Sequence, residues 1–361
     1  MGTAHGGAFF AATHGARRGS KPKDFGMSAA SVLLADVGGT NLRLVLADAE
    51  RGVDQDSLVS LRVAEHPSLE AAARSYLRAR GAQPEVAVFA VAGRVEQGRA
   101  QITNHPWHID CGALRALLEI PRIKLVNDFA AMGASLAALQ AVDMVALGPA
   151  LPDLGAGSDG CFAVLGPGTG LGATAVLRRG GRWLVMETEG GHIGFAPQDA
   201  LEIELLRVLS ARFGRVSNER LVCGGGLLNL YRALGEVRGE PAPALTPEAV
   251  SSDALRGNAL ALAALERFVL ILGSVAGDLA LAYGAWDGVL LAGGLVPQLL
   301  PRLQSGDFRT RFAAKGRFGA TLARIPSAAI LHAQPGLLGA LAIAGGRAEV
   351  HHCGAVSGAC A

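Results

Sequence analysis

One pattern occurs twice in the chain and limits what it can fold into. Residues 32–47, "VLLADVGGTNLRLVLA", and residues 161–177, "CFAVLGPGTGLGATAVL", each run from an apolar strand through a Gly/Thr turn into a second apolar strand. A third strand-like segment follows each pair, at 57–63 and 182–187. Beyond Gly and Thr the copies share no sequence, so the repeat is one of pattern. Helices are predicted at 67–80, 198–213 and 258–283, and the runs "VAVFAV" (86–91), "IKLVN" (123–127) and "GVLLAGG" (288–294) have strand length. Apolar strands alternating with helices read as parallel, buried strands, so the expectation is an α/β protein with mixed sheets flanked by helices. At 361 residues the chain exceeds one ordinary core, which makes two domains with a cleft between them the natural division.

The first turn lacks both the Lys of a P-loop and the third Gly of a dinucleotide fingerprint. Glycine-rich hairpin turns nonetheless expose backbone N–H groups, and a Thr hydroxyl adds a donor, so such a turn suits phosphate oxygens. Taken singly, each is also an ordinary hairpin turn. Two in equivalent places argue for a phosphate chain gripped across the cleft. Asp36, ending the first strand, fits a hydrated Mg²⁺ beside those oxygens, or a local turn bond. "LAGGL" (291–295) and "VCGGGL" (222–227) are further strand-to-helix turns.

The polar residues gather near these turns. Asn127 and Asp128 follow an apolar strand and precede a helix, where open α/β sheets bind ligands. Asp128 there also fits a helix N-cap. In "METEGGHIGFAP" two glycines bend the chain so that Glu189 and His192 can converge. Glu219 in "VSNERL" adds another acid, or caps a helix after Ser217. Carboxylates around a phosphate cleft suit a polyhydroxyl ligand and phosphoryl transfer to a sugar.

Composition narrows the class further. Lys and Arg total 33 against 31 Asp and Glu, and a net charge of +2 gives no reason to expect nucleic acid. The five cysteines are scattered without a C-x-x-C pair, which reads as reduced thiols in a cytoplasmic protein without a zinc site. The apolar stretches 160–177 and 259–286 are broken by Gly and Pro or by charges, so no membrane segment is expected. Residues 1–30 form a basic segment read as a disordered tail, with a transit peptide as the alternative. Lys315 and Arg317 in "AAKGRF" read as exposed basic surface.

In order and spacing, "LADVGGTNLRL", "TNHPWHI", "LVNDFAAMG", "GPGTGLG", "EGGHIGFAP", "SNERLVCGGGLLNLYRAL", "LAGGLVPQLLP", "FRTRFAAKGRF" and "PGLLGALAI" resemble the bacterial-type ATP-dependent glucokinases. The resemblance covers roughly residues 31–346. It implies the two-domain actin-like ATPase fold, of the ribonuclease H-like type. The implied small domain is 31–138 plus 333–346 and the large one 139–332, with 347–361 a flexible tail. It implies glucose as substrate, ATP and Mg²⁺ as co-substrate and cofactor, and a homodimer. Asp128 then corresponds to the general base, and Asn104, Asn127, Glu189, His192 and Glu219 to sugar ligands. Ala35, Asp36, Val37, Gly38, Gly39 and Thr40 correspond to one phosphate turn, Gly168, Thr169, Gly170 and Gly172 to the other, and Gly293 and Gly294 to the adenosine side. Two departures bear on nucleotide fit or sugar preference: "VCGGGL" stands where relatives often carry Pro, and Gly194 where Asp is common. The related repressor/kinase family carries a cysteine-rich zinc motif absent here. Rival readings are a kinase for fructose, mannose or an amino sugar, a sugar-responsive regulator, and an actin-like ATPase.

Overall fold

The computed structural model describes residues 31–48, 51–103, 105–155, 157–243 and 245–351; the expected basic tail at 1–30 lies outside them. The first sheet is built from β1 (Ser31–Val37), β2 (Asn41–Asp48), β3 (Val59–Arg62), β4 (Val86–Val91) and β5 (Arg122–Asn127), with the short strand Gly52–Val53 added on the edge of β2. The second comprises β6 (Met144–Ala146), β7 (Gly160–Pro167), β8 (Leu171–Arg179), β9 (Arg182–Thr188), β10 (Gly288–Leu291), β11 (Ser327–Ile330) and β12 (Ala348–His351).

The repeat in the sequence is a repeat in topology. In the first sheet β3, β2 and β1 are antiparallel neighbours, and β4 and then β5 continue parallel to β1. The second sheet holds the same arrangement in β9, β8 and β7, continued in parallel by β10 and β11. Each Gly/Thr turn therefore closes the central hairpin of its own sheet.

Among the helices are α1 (Leu69–Arg80), α2 (Asp128–Ala134), α3 (Ala200–Phe213), α4 (Gly224–Arg238), α5 (Ala259–Tyr283), α6 (Asp307–Ala313) and α7 (Pro335–Ala344). Local chemistry sets their ends. Ser68 accepts the Ala71 N–H at the start of α1, and Gly81, at φ +60°, ends it in the left-handed conformation that glycine adopts freely.

Three apolar layers follow from which face each helix covers. α1 packs on one face of the first sheet through Leu69, Ala72, Tyr76 and Leu77. α3, α4, α5 and α6 cover the outer face of the second. Between the sheets lie α2 and α7, in one cluster joining Leu34 and Val88 of the first sheet to Val164 and Val176 of the second. These two helices are rich in Ala and Gly, so their backbones approach closely. A Cβ on Gly339 of α7 would stand 1.7 Å from the Ala131 carbonyl oxygen of α2.

Several expectations need correction. The segment 57–63 is a shorter strand, because Ser57 is spent on an anchor: its hydroxyl accepts the Leu46 N–H at 2.8 Å inside a 3₁₀ turn. Residues 348–351, expected in a flexible tail, form β12, which pairs in parallel with β9 and buries Ala348. Lys315 is not surface: its side chain is 7% exposed and ion-paired to Asp278 at 2.6 Å. Among the described residues α5 alone has the length and apolarity to cross a membrane, and its Phe268, Ile271 and Leu272 lie in the core.

Candidate active site

The site begins where β5 ends. The Asn127 Oδ1 accepts the N–H groups of Phe129 at 2.8 Å and Ala130 at 3.1 Å, and its Nδ2 donates to the Gly93 carbonyl at 3.0 Å. Asn127 is thus the N-cap of α2, a duty the sequence also allowed to Asp128. Asp128 becomes the first helical residue, with its Oδ1 accepting the Phe129 N–H at 2.8 Å. Burial, then the negative charges of Asp36 and Glu189, raise its pKa to about 7 against the hydrogen bonds that lower it.

Across from it, β9 runs into the single turn Gly190–His192, which aims Glu189 and His192 into one space. His192 Nε2 stands 3.8 Å from Glu189 Oε2, and Nδ1 3.9 Å from Glu219 Oε1. All three side chains remain partly exposed. Glu219 caps nothing, since Ser217 makes no side-chain cap and Asn218–Arg220 is a 3₁₀ turn. Its Oε2 instead accepts the Leu171 N–H at 3.0 Å, directly after the second Gly/Thr turn. One carboxylate therefore faces His192 with one oxygen and steadies the second Gly/Thr turn with the other. Thr188 donates to the Ala173 carbonyl at 2.8 Å, so the Tyr283 hydroxyl, 2.9 Å away, donates to Thr188. That pair supports the Glu189 turn from below, and the sequence offered no sign of it, because Tyr283 lies almost a hundred positions downstream.

The turns differ in what they expose. In the first, Ala35 and Val37 are wholly buried, leaving Asp36 and Gly38–Thr40 at the surface of the hairpin. Asp36 is in register opposite Arg43 and bonded to it at 2.9 Å, a partner that the sequence reading missed. A Cβ on Gly39 would stand 2.9 Å from the Thr103 carbonyl. Asn104, the next residue, lies outside the described residues. In the second turn the Gly168 N–H closes on the Gly170 carbonyl at 2.8 Å, and the Gly168 carbonyl accepts the Gly224 N–H at 2.9 Å. The "VCGGG" turn thereby buttresses the second Gly/Thr turn. Gly293, at φ +96°, packs against the Pro167 carbonyl, while Gly168 and Gly294 face open space. A Cβ on Gly194 would also meet nothing within 4 Å, so its departure from the family pattern has no steric cause.

No group of three or more His, Cys, Asp or Glu side chains forms a metal cage among the described residues. Mg²⁺ needs none: one or two carboxylates, phosphate oxygens and water hold it, and the half-exposed Asp36 carboxylate fits that description.

Two sheets of matched strand order, a donor-rich turn on each, and a half-buried acid near a Glu/His/Glu set fit a sugar kinase of the actin-like fold. A glucokinase family profile matches residues 33–346. A glucokinase of Stenotrophomonas maltophilia is 48% identical, the match covering 88% of this chain and 96% of that one. The crystal structure of glucokinase from an Antarctic psychrotroph superposes with a TM-score of 0.78 at 32% identity, covering 88% of this chain and 99% of its own. A ROK family glucokinase from Streptomyces griseus, solved with glucose and AMPPNP, shares the fold at 18% identity and TM-score 0.57, over 87% and 99%. The chain belongs to the glucokinase family.

Proposed function

We propose that the protein transfers the γ-phosphoryl group of ATP to the 6-hydroxyl of D-glucose, with Asp128 as general base. Family membership supports glucose and ATP as substrates. The observation that supports the base is the Asp128 carboxyl itself: half-buried at the start of α2, relieved of capping by Asn127, and lifted by desolvation to a pKa of about 7. A base near the working pH is ionised often enough to act and basic enough to draw a proton. The O6 proton passes to Asp128, the O6–P bond forms, the bond from the γ-phosphorus to the bridging oxygen breaks, and its electron pair leaves with ADP. Little covalent help is needed, so alignment and charge neutralisation supply most of the rate.

Glu189, His192 and Glu219 hold sugar hydroxyls, and Asn127 positions the base as well as offering its remaining amide hydrogen. Asp36 would hold Mg²⁺, and the ion, when bound, would supply neutralisation of the phosphate charge. The division into a lobe of 31–138 with 333–346 and a lobe of 139–332, assembled as a homodimer, belongs to the same reading.

A coupled ADP-release assay over glucose, fructose, mannose and glucosamine tests the substrate: glucose should give the highest kcat/KM, and a tenfold preference for another sugar refutes it. Because the base must be ionised, kcat/KM should fall about tenfold per unit below a pH near 7. A rate flat from pH 8 down to 5.5 would exclude an acid with this pKa. Glu189→Ala should weaken glucose binding by about 1–3 kcal/mol in titration calorimetry, through lost and unpaired hydrogen bonds. Unaltered affinity removes Glu189 from the ligand set.

A further inference from the structure

Gly166 and Gly172 flank the second phosphate turn and are register partners across the β7–β8 hairpin. Both lack room for any side chain, and for the same reason. A Cβ on Gly166 would lie 2.3 Å from the Phe129 ring, and one on Gly172 would lie 2.2 Å from it. The ring thus occupies a socket left by two opposed glycines. Its own backbone N–H, at the other end of the residue, donates to Asp128 Oδ1 and to Asn127 Oδ1, both at 2.8 Å. Phe129 is therefore clamped twice, by its ring to the second sheet and by its amide to the acid that closes the first.

We infer that Phe129 is a positioning residue, seated in the Gly166/Gly172 socket to hold the Asp128 carboxylate in line with the Gly168–Gly170 phosphate turn. The inference rests on Asp128 being the base. Base and phosphate turn arise from different sheets, and transfer requires the attacking oxygen and the phosphorus in one line. Through this contact any displacement of the hairpin moves the helix start with it. Gly172, read from sequence as a nucleotide ligand, has the separate duty of admitting the ring. Misplacement by about 1 Å is enough to lower a rate on the order of 10²-fold.

The test is a cycle of Phe129→Ala, Gly172→Ala and the double variant, with Phe129→Leu and Asp128→Asn measured beside them. Phe129→Ala should lower kcat about 10- to 100-fold, with KM for glucose and ATP changed less than about threefold. It should also move the acid limb of the kcat/KM profile to lower pH, since an emptied socket lets water reach the carboxylate. Gly172→Ala should lower kcat at least as much, because its new methyl displaces the ring. The double variant should be no worse than Phe129→Ala alone, the methyl now entering vacated space; such coupling is what a shared contact produces. Phe129→Leu should recover part of kcat, and it carries the same readouts if Phe129→Ala fails to fold. Wild-type kcat and an unmoved acid limb in the Phe129 variants, with only a lower Tm, would overturn the inference and leave a packing role; so would simple additivity in the double variant. Full activity of Asp128→Asn would instead refute the base assignment, which separates the two failures.

Discussion

Asp128→Asn is expected to lower kcat by about 10²–10⁴-fold, the range general base catalysis supplies, while glucose affinity stays within a few-fold of wild type. The substitution is nearly isosteric, and the amide oxygen can still accept the Phe129 N–H, so the start of α2 keeps its geometry. What disappears is a site for the O6 proton. Stability should move the other way. In the native state the carboxyl titrates near 7, against about 3.9 in an unfolded chain. Between those values the folded form binds more protons than the unfolded one, so the contribution of Asp128 to stability is full below about pH 4 and is lost as pH rises through 7. Asparagine removes that penalty. The variant should therefore be more stable than wild type by about 1–3 kcal/mol at pH 8, with the gain fading toward pH 4. Single-turnover kinetics read the first effect and urea unfolding at the two pH values the second. An unchanged kcat would end the base assignment, and a variant less stable at pH 8 would show that the ionised carboxylate is not strained by its burial.

Much of this arrangement is legible in the sequence because it is local. The hairpins, their turns and the strand "VAVFAV" (86–91) come from period and turn chemistry alone, and β4 occupies those same residues. Asn127 and Asp128 announce a strand-to-helix junction by their position. Their division of labour does not show there, because either residue caps well; it is decided by the Gly93 carbonyl, which holds the Asn127 amide in the capping orientation. The links between site parts are equally hidden. Arg43 beside Asp36 follows from hairpin register, Glu219 against Leu171 from a separation of 48 positions, and Phe129 between two glycines from the stacking of two sheets. Glycines that read as ligand-facing in sequence divide in space: Gly168 and Gly294 face open space, whereas Gly39, Gly172 and Gly293 are glycine because backbone or a ring stands where Cβ would be. Lys315 reads as surface in the sequence for a related reason, its partner Asp278 lying on α5 with two helices between them along the chain.

Glu202→Ala should lower stability by about 3–5 kcal/mol, the loss expected when one member of a buried ion cluster is removed. Glu202 is fully buried on α3, and its Oε1 is bonded to Arg267 of α5 at 2.8 Å and to Arg311 of α6. Its Oε2 accepts the Gln198 N–H at 2.7 Å. Asp199, which caps α3 through the Glu202 N–H, completes the cluster with a bond of 2.5 Å to Arg267. Two acids and two arginines balance; without Glu202, two guanidiniums, each 14% exposed, are left with one carboxylate. The loss is a penalty of stranded charge rather than the value of the pair, so replacing Glu202 and both arginines by apolar residues, with the more exposed Asp199 kept as the α3 cap, should be milder. The triple variant Glu202→Leu, Arg267→Leu, Arg311→Met is accordingly expected to be more stable than Glu202→Ala in urea unfolding. A single-variant loss below about 1 kcal/mol would mean that water reaches the cluster and screens it as at a surface. The active site should register little of this: Arg267 and Tyr283 are sixteen residues apart on α5, about 24 Å along the helix. Tyr283 supports the Glu189 turn from the far end, so kcat per folded molecule should stay within about twofold of wild type, and a larger fall would mean that the cluster sets the placement of α5 along its whole length.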